Sequence, residues 1–153
     1  MPLTQEQLDR IRQPGLTLKI ICGALIAGPC MFSVMLCVIL DFNSLDIDLG
    51  MLVLLAASSG AGMYSMSYIA FKVLSAHTAS KNDSTESHFQ TLQTAWIVRF
   101  AIAEGAVFLN LLVTFAEHSL ITMFVALVGL LVMVIGFPRT VVVEELMEER
   151  LQS

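Results

Sequence analysis

The chain has few charged residues, and basic residues are the scarcer kind. Lysine and arginine together number 8 of the 153 residues, and the formal net charge is −5. A protein that binds nucleic acid needs a basic surface for the phosphate backbone, and this composition does not supply one. We therefore expect no nucleic acid among the partners.

Cysteine is also scarce, and its placement excludes several kinds of site. Cys22, Cys30 and Cys37 lie in one apolar stretch, where an odd number of thiols cannot form a disulfide framework. No Cys-x-x-Cys pair or histidine spacing defines a metal site. We interpret the cysteines as small apolar packing residues, with metal or redox use as a remote alternative, and predict no cofactor and no metal.

Long stretches of the chain carry no charge at all, and these stretches indicate the fold class. Segments 20–40, 49–71 and 119–137 are uncharged, and hydrophobic residues form 56% of the chain. About 20 apolar residues cross the ~30 Å hydrocarbon core, and only helices or closed barrels satisfy their backbone there. We predict an all-α integral membrane four-helix bundle in a single domain, 1–153, with spans at about 17–40, 49–71, 92–115 and 119–137.

The polar segments between and beside these spans are short. A capping-box pattern beginning at Thr4 predicts a short helix that ends at Pro14-Gly15. We expect a polar loop at about 72–90, in which Asp83 or Ser84 could cap a helix that runs on into span three, and a last amphipathic helix at about 140–152. The first apolar run is too long for a cleavable signal peptide, so we expect it to be retained as a signal anchor.

The basic residues predict how the spans are oriented. The segments at 41–48 and 116–118 contain no lysine or arginine. All eight basic residues therefore fall on one side of the predicted bundle, and the positive-inside rule makes that side cytoplasmic. We predict a multi-pass protein of the cell inner membrane with both termini in the cytoplasm. The basic residues are Arg10, Arg12, Lys19, Lys72, Lys81, Arg99, Arg139 and Arg150.

Small residues at four-residue spacing predict close helix packing. In lipid, helices associate largely through backbone approach at small side chains. Spans one to three carry such residues, so we expect them to pack within the chain and against a second copy or another membrane protein. Pro29 is expected to kink the first span. The predicted packing residues are Gly23, Ala24, Ala27, Gly28, Gly60, Gly62 and Gly105.

The two halves of the chain align weakly with each other. Placing the first span on the third lays Ala24 on Ala101, Gly28 on Gly105 and Ala27 on Glu104. This favours two parallel helical hairpins, of which the second alone carries a carboxylate. The alternative is chance, because segments built from alanine, glycine, isoleucine and leucine often match.

The third span is the anomalous one, because it carries Arg99, Glu104 and Asn110. Glu104 lies roughly 14 Å inside the predicted cytoplasmic end, where an ionised carboxylate costs several kcal/mol. One interpretation makes Glu104 a proton- or cation-binding group or a substrate counter-ion, with Arg99, Asn110, Ser58 and Ser59 as supporting polar residues. The other makes it a structural residue that hydrogen-bonds to Ser58, Ser59 or Ser65 of the second span. Arg99 is expected to anchor the helix at the membrane interface.

Two resemblances bear on these predictions. The segment 101–109 and the length of the chain resemble the proteolipid ring subunits of rotary ATPases, although their carboxylate lies on the second helix of a hairpin. The chain also resembles a set of small, uncharacterised four-span bacterial proteins. They share the pattern Leu-x-x-Ile-x-x-Ala-Leu-Ile-x-Gly at 18–28, Ile-x-Arg-x-Ala-x-x-Glu-Gly at 97–105, and Phe-Pro-Arg at 137–139. This second resemblance implies a bacterial inner-membrane protein and no established activity.

No nucleophile–base pair, phosphate-binding loop or cofactor motif is apparent in the sequence. We therefore favour a non-enzymatic structural or assembly component that forms oligomers. The alternative is a component of proton- or ion-coupled translocation that uses Glu104.

Overall fold

The computed structural model describes residues 5–40, 45–47, 49–76, 85–139, 142–143 and 146. Four helices make up almost all of this part of the chain, and it contains no β-strand beyond one isolated bridge between Asp46 and Ser119. The helices are α1 (Gln5–Ile39), α2 (Met51–Ala76), α3 (Thr85–Glu117) and α4 (Leu120–Ile135). The predicted all-α fold with four helices is confirmed.

Several predicted boundaries are wrong. The backbone of α1 is helical through both Pro14-Gly15 and Pro29, because the missing proline N–H removes one hydrogen bond without ending the helix. The predicted start of the helix that runs on into span three agrees with the structure, in which α3 begins at Thr85. The predicted end of span two at 71 is wrong, because α2 continues to Ala76 and Ser75 donates to the carbonyl of Lys72 on its own helix.

Three of the helices are long and apolar enough to cross a membrane: Gly15–Ile39, Met51–Ala76 and Glu86–Glu117. The fourth, α4, has 16 residues and is apolar but shorter. It ends at Gly136, whose backbone N–H donates to the carbonyl of Val132, while that of Phe137 donates to the carbonyl of Val134. At 1.5 Å per residue, α4 rises about 24 Å.

Helix α3 occupies the centre of the bundle. It packs against α1, α2 and α4, and α2 also packs against α4. Helices α3 and α4 form a tight hairpin, in which His118 takes the left-handed conformation with φ 51°. Helices α1 and α2, although consecutive, make no extended contact. The predicted pair of equivalent hairpins is therefore wrong, since only the second pair packs together.

The main core lies where α3 meets its neighbours. Its largest fully buried members include Phe100, Leu18, Leu111 and Met133. A smaller cluster joins Phe89 and Leu92 of α3 to Val143 and Leu146, which belong to the predicted C-terminal helix. Most of that predicted helix, 140–152, lies outside the described residues, as does the predicted cap at Thr4.

Candidate functional site

The carboxylate of Glu104 faces α1 at Gly28. Its Oε1 lies 3.4 Å from the position that a Cβ would occupy on Gly28, and the Phe108 ring lies 3.7 Å from the same position. The Phe108 ring in turn packs against Phe32 of α1, with 5.7 Å between ring centroids. A glycine at position 28 therefore leaves the space that the half-buried carboxylate fills.

The serine partners predicted for Glu104 are wrong. Ser58 donates to the carbonyl of Leu55 at 3.2 Å, and Ser59 donates to the carbonyl of Ala56 at 3.0 Å. Ser65 likewise bonds within its own helix. A serine in a helix can always satisfy its hydroxyl on the preceding turn, so it does not need a partner on another helix.

Arg99 points away from Glu104, as their spacing on one helix predicts. The guanidinium carbon lies 5.4 Å from the centroid of the Phe71 ring and 5.3 Å from that of Trp96. The same group lies beside Gly136 at the end of α4. Arg99 and Glu104 form no ion pair, and within the described residues the carboxylate of Glu104 has no hydrogen-bond partner.

Asn110 is fully buried between α3 and α2. Its Nδ2 donates to the carbonyl of Ala106 at 2.9 Å, while its Oδ1 accepts no hydrogen bond. The amide lies directly against Gly60, where a Cβ would overlap its Nδ2. Asn110 is thus a packing residue at the α2–α3 interface, and it does not adjoin Glu104 as a supporting ligand.

The predicted small residues fall into two groups. Gly28 and Gly60 each sit against α3, and Gly105 of α3 lies against Met63 of α2, as expected for close helix approach. Around Gly23 and Gly62 a Cβ would meet nothing within 4 Å, and Ala24 and Ala27 are exposed. These four do not pack helices together within one copy of the chain.

One packing glycine was missed by the sequence analysis. Gly129 of α4 lies directly against the phenol of Tyr64, whose hydroxyl donates to the carbonyl of Val125 at 3.4 Å. The only indications of this contact in the sequence are one glycine within a segment of large apolar residues and a tyrosine at the same depth in α2.

A stripe of α3 remains exposed in the part of the chain that the structure describes, although Met63 of α2 contacts one of its residues, Gly105. Ala101, Gly105, Leu109 and Leu112 are all exposed, and at 3.6 residues per turn they lie within an arc of about 80°. We call these four residues the open face. It lies between α1 and α2, which do not close over it, and Glu104 lies at its α1 edge.

The described part of the chain brings together no group of three or more histidine, cysteine, aspartate or glutamate residues. The cysteines are dispersed along α1: Cys22 is buried, Cys30 is half-buried and Cys37 is exposed. The most unusual chemical group in the apolar region is therefore the single carboxylate at the edge of the open face.

The contact between Gly60 and Asn110 gives a direct test of the α2–α3 packing. We expect Gly60→Ala to lower the free energy of unfolding by about 1–3 kcal/mol, because the added methyl group overlaps a fully buried amide. Gly62→Ala on the same helix is the control, and it should be neutral or stabilising by up to about 1 kcal/mol. Unfolding in detergent measures both, and equal effects would contradict the packing.

Comparisons of the chain with protein-family models, with curated proteins and with solved structures give no match. The resemblances to the small bacterial four-span proteins and to the proteolipid subunits rest on short motifs and stay predictions.

Proposed function

We propose that this protein is a non-enzymatic component of the bacterial inner membrane, which spans the bilayer four times and assembles with a second copy of itself through the open face. The single observation that carries the assembly is the uncovered stripe of α3, which contains the Ala101-x-x-x-Gly105 spacing and borders an unpaired carboxylate. The membrane placement, the orientation and the assembly are each supported by a different observation.

Membrane placement is supported by the apolar surface that the helices leave uncovered. In the most apolar windows of Gly15–Ile39 and Met51–Ala76, 17% and 22% of the residues are buried. Large side chains such as Met31, Val38 and Ile69 are more than half exposed. Water would penalise an apolar surface of this size, whereas hydrocarbon would not.

The crossing of the short helix α4 is supported by its alignment with α3. The hairpin turn at His118 places the start of α4 beside the end of α3, and Gly136 lies beside Arg99. The stretch of α3 from Arg99 to Glu117 rises about 27 Å, which matches the thickness of a thin bilayer. A helix that runs alongside this stretch returns the chain to the side from which α3 started.

The orientation is supported by the position of the basic residues. Arg99 and Arg139 lie at the same end of the α3–α4 hairpin, and Lys72 lies near the end of α2 that precedes α3. The opposite end, where Asp46 pairs with the hairpin turn, carries no lysine or arginine in 41–48 or 116–118. The positive-inside rule then places both termini in the cytoplasm.

Self-assembly is supported by the chemistry of the open face. A small-residue stripe lets a second helix approach closely, and lipid chains fill the same groove less well. The face is the same on each copy, so a two-fold axis along it would bring the two stripes together.

We expect Gly105→Leu to weaken the dimer by about tenfold or more, because the larger side chain keeps the two α3 helices apart. Gly62→Leu makes the same change on the side of α2 that faces away from α3, and it should leave the dissociation constant unchanged. Energy transfer between donor- and acceptor-labelled chains in detergent measures the constant. A monomeric wild type, or equal effects of the two substitutions, would overturn the assembly.

A second candidate function is proton- or cation-coupled translocation, and one observation favours it. Glu104 has neither a hydrogen-bond partner nor an ion pair in the described structure, so its carboxylate is available to exchange a proton or to bind a cation. Such residues in membrane spans commonly mark ion pathways.

The translocation hypothesis predicts that wild-type protein in vesicles dissipates a proton or cation gradient and that Glu104→Gln does not, since glutamine keeps the size and removes the ionisable group. Glu117→Gln, at the exposed end of α3, is the control and should retain the flux. Vesicles that contain wild-type protein and hold their gradient as long as empty ones do would eliminate this candidate.

A further inference from the structure

Two cations, Lys72 of α2 and Arg99 of α3, each lie against aromatic rings at the proposed cytoplasmic end of these helices. Lys72 extends over the ring of Tyr68, with its Nζ 5.1 Å from the ring centroid. Arg99 lies against the rings of Trp96 and of Phe71, the residue that precedes Lys72. We call these five residues the cationic cluster: Tyr68, Phe71, Lys72, Trp96 and Arg99.

The cationic cluster contains positive charge without an anion to balance it. Within the described residues, neither Lys72 nor Arg99 pairs with a carboxylate. Arg99 is half-buried, so its charge is partly removed from water and is costly to leave unbalanced. Its guanidinium also lies beside Gly136 at the carboxyl end of α4, whose partial negative charge offsets part of this cost without supplying an anion.

The cluster also contains a buried donor that has no acceptor. Trp96 is 4% exposed, and its Nε1 has no hydrogen-bond partner. Buried donors in folded proteins are nearly always paired, with protein, water or a ligand. The guanidinium carbon of Arg99 lies 5.3 Å from the centroid of the Trp96 ring, so an acceptor bound at the guanidinium would lie near this indole.

We propose that the cationic cluster binds the phosphate group of an anionic phospholipid from the cytoplasmic leaflet. Lys72 and Arg99 supply the charge and the donors, as basic pockets between helices do at that surface. The inference rests on the membrane placement proposed above, and not on self-assembly.

The surroundings of the cluster favour a lipid over a free phosphate ion. Ile69 and Val73, on the turns beside Tyr68 and Lys72, are 58% and 55% exposed, and they offer apolar surface to acyl chains. Lys72 itself is exposed, so a headgroup can reach it from the bilayer. A soluble anion would gain nothing from the apolar part of this surface.

Native mass spectrometry of the full chain in detergent tests the proposal. The delipidated protein is titrated with phosphatidylglycerol and, separately, with phosphatidylcholine of the same acyl chains. We expect one tightly held phosphatidylglycerol, and about fivefold weaker binding for each of Lys72→Gln and Arg99→Gln. Arg139→Gln removes one exposed charge outside the cluster, and it should bind like wild type.

The other outcomes each overturn the proposal. Lys72 is exposed, so Lys72→Gln should fold even if Arg99→Gln does not, and unchanged binding by Lys72→Gln would be sufficient to reject the site. Displacement of phosphatidylglycerol by inorganic phosphate would show that the ligand is the free ion. Equal binding of the two lipids would reject the headgroup site without contradicting the membrane placement. A chain that binds neither lipid and stays in the aqueous fraction would reject the membrane placement itself.

Discussion

The contact between Gly60 of α2 and the carboxamide of Asn110 on α3 is the interaction on which the rest of the bundle depends. The Nδ2 of Asn110 donates to the carbonyl of Ala106, its Oδ1 accepts no hydrogen bond from the described residues, and the amide lies directly against α2. A glycine is the residue that allows this approach. The neighbouring helix α4 then docks by two further contacts, Tyr64 against Gly129 and the hydrogen bond of 2.9 Å between Thr114 and Thr122.

Helix α1 joins this three-helix unit in a different way. It packs on the opposite flank of α3 from α2, and at its middle Gly28 makes room for the carboxylate of Glu104. Because α1 and α2 stand apart, the open face remains uncovered between them. Helix α3 thus carries the carboxylate of Glu104 beside the open face and, five residues earlier, the guanidinium of Arg99 in the cationic cluster.

The sequence predicted the helices well and their neighbours poorly. Uncharged runs of about 20 residues have few alternatives to helix, so the existence of all four elements was readable from composition. Small residues identified Gly28 and Gly60 correctly, but the same pattern at Gly23 and Gly62 faces outward, because spacing does not say which side of a helix meets a partner. The hydrogen-bond partners predicted for Glu104 were wrong for the same reason. Ser58 and Ser59 lie at a plausible depth in the bundle, but they are exposed on a side of α2 that does not meet α3.

The two equivalent hairpins were not found, because helix pairing depends on contacts between segments and no single segment determines it. Matching residues in spans one and three share a helical pattern, yet α1 packs on α3 instead of on α2, and only contacts between distant segments decide that arrangement. Disulfide cross-linking in native membranes tests the central claim, that a second copy covers the open face. In a chain without Cys22, Cys30 and Cys37, Gly105→Cys should give a covalent dimer on mild oxidation and Gly62→Cys should not. No dimer from Gly105→Cys, or equal dimer from both, would contradict it.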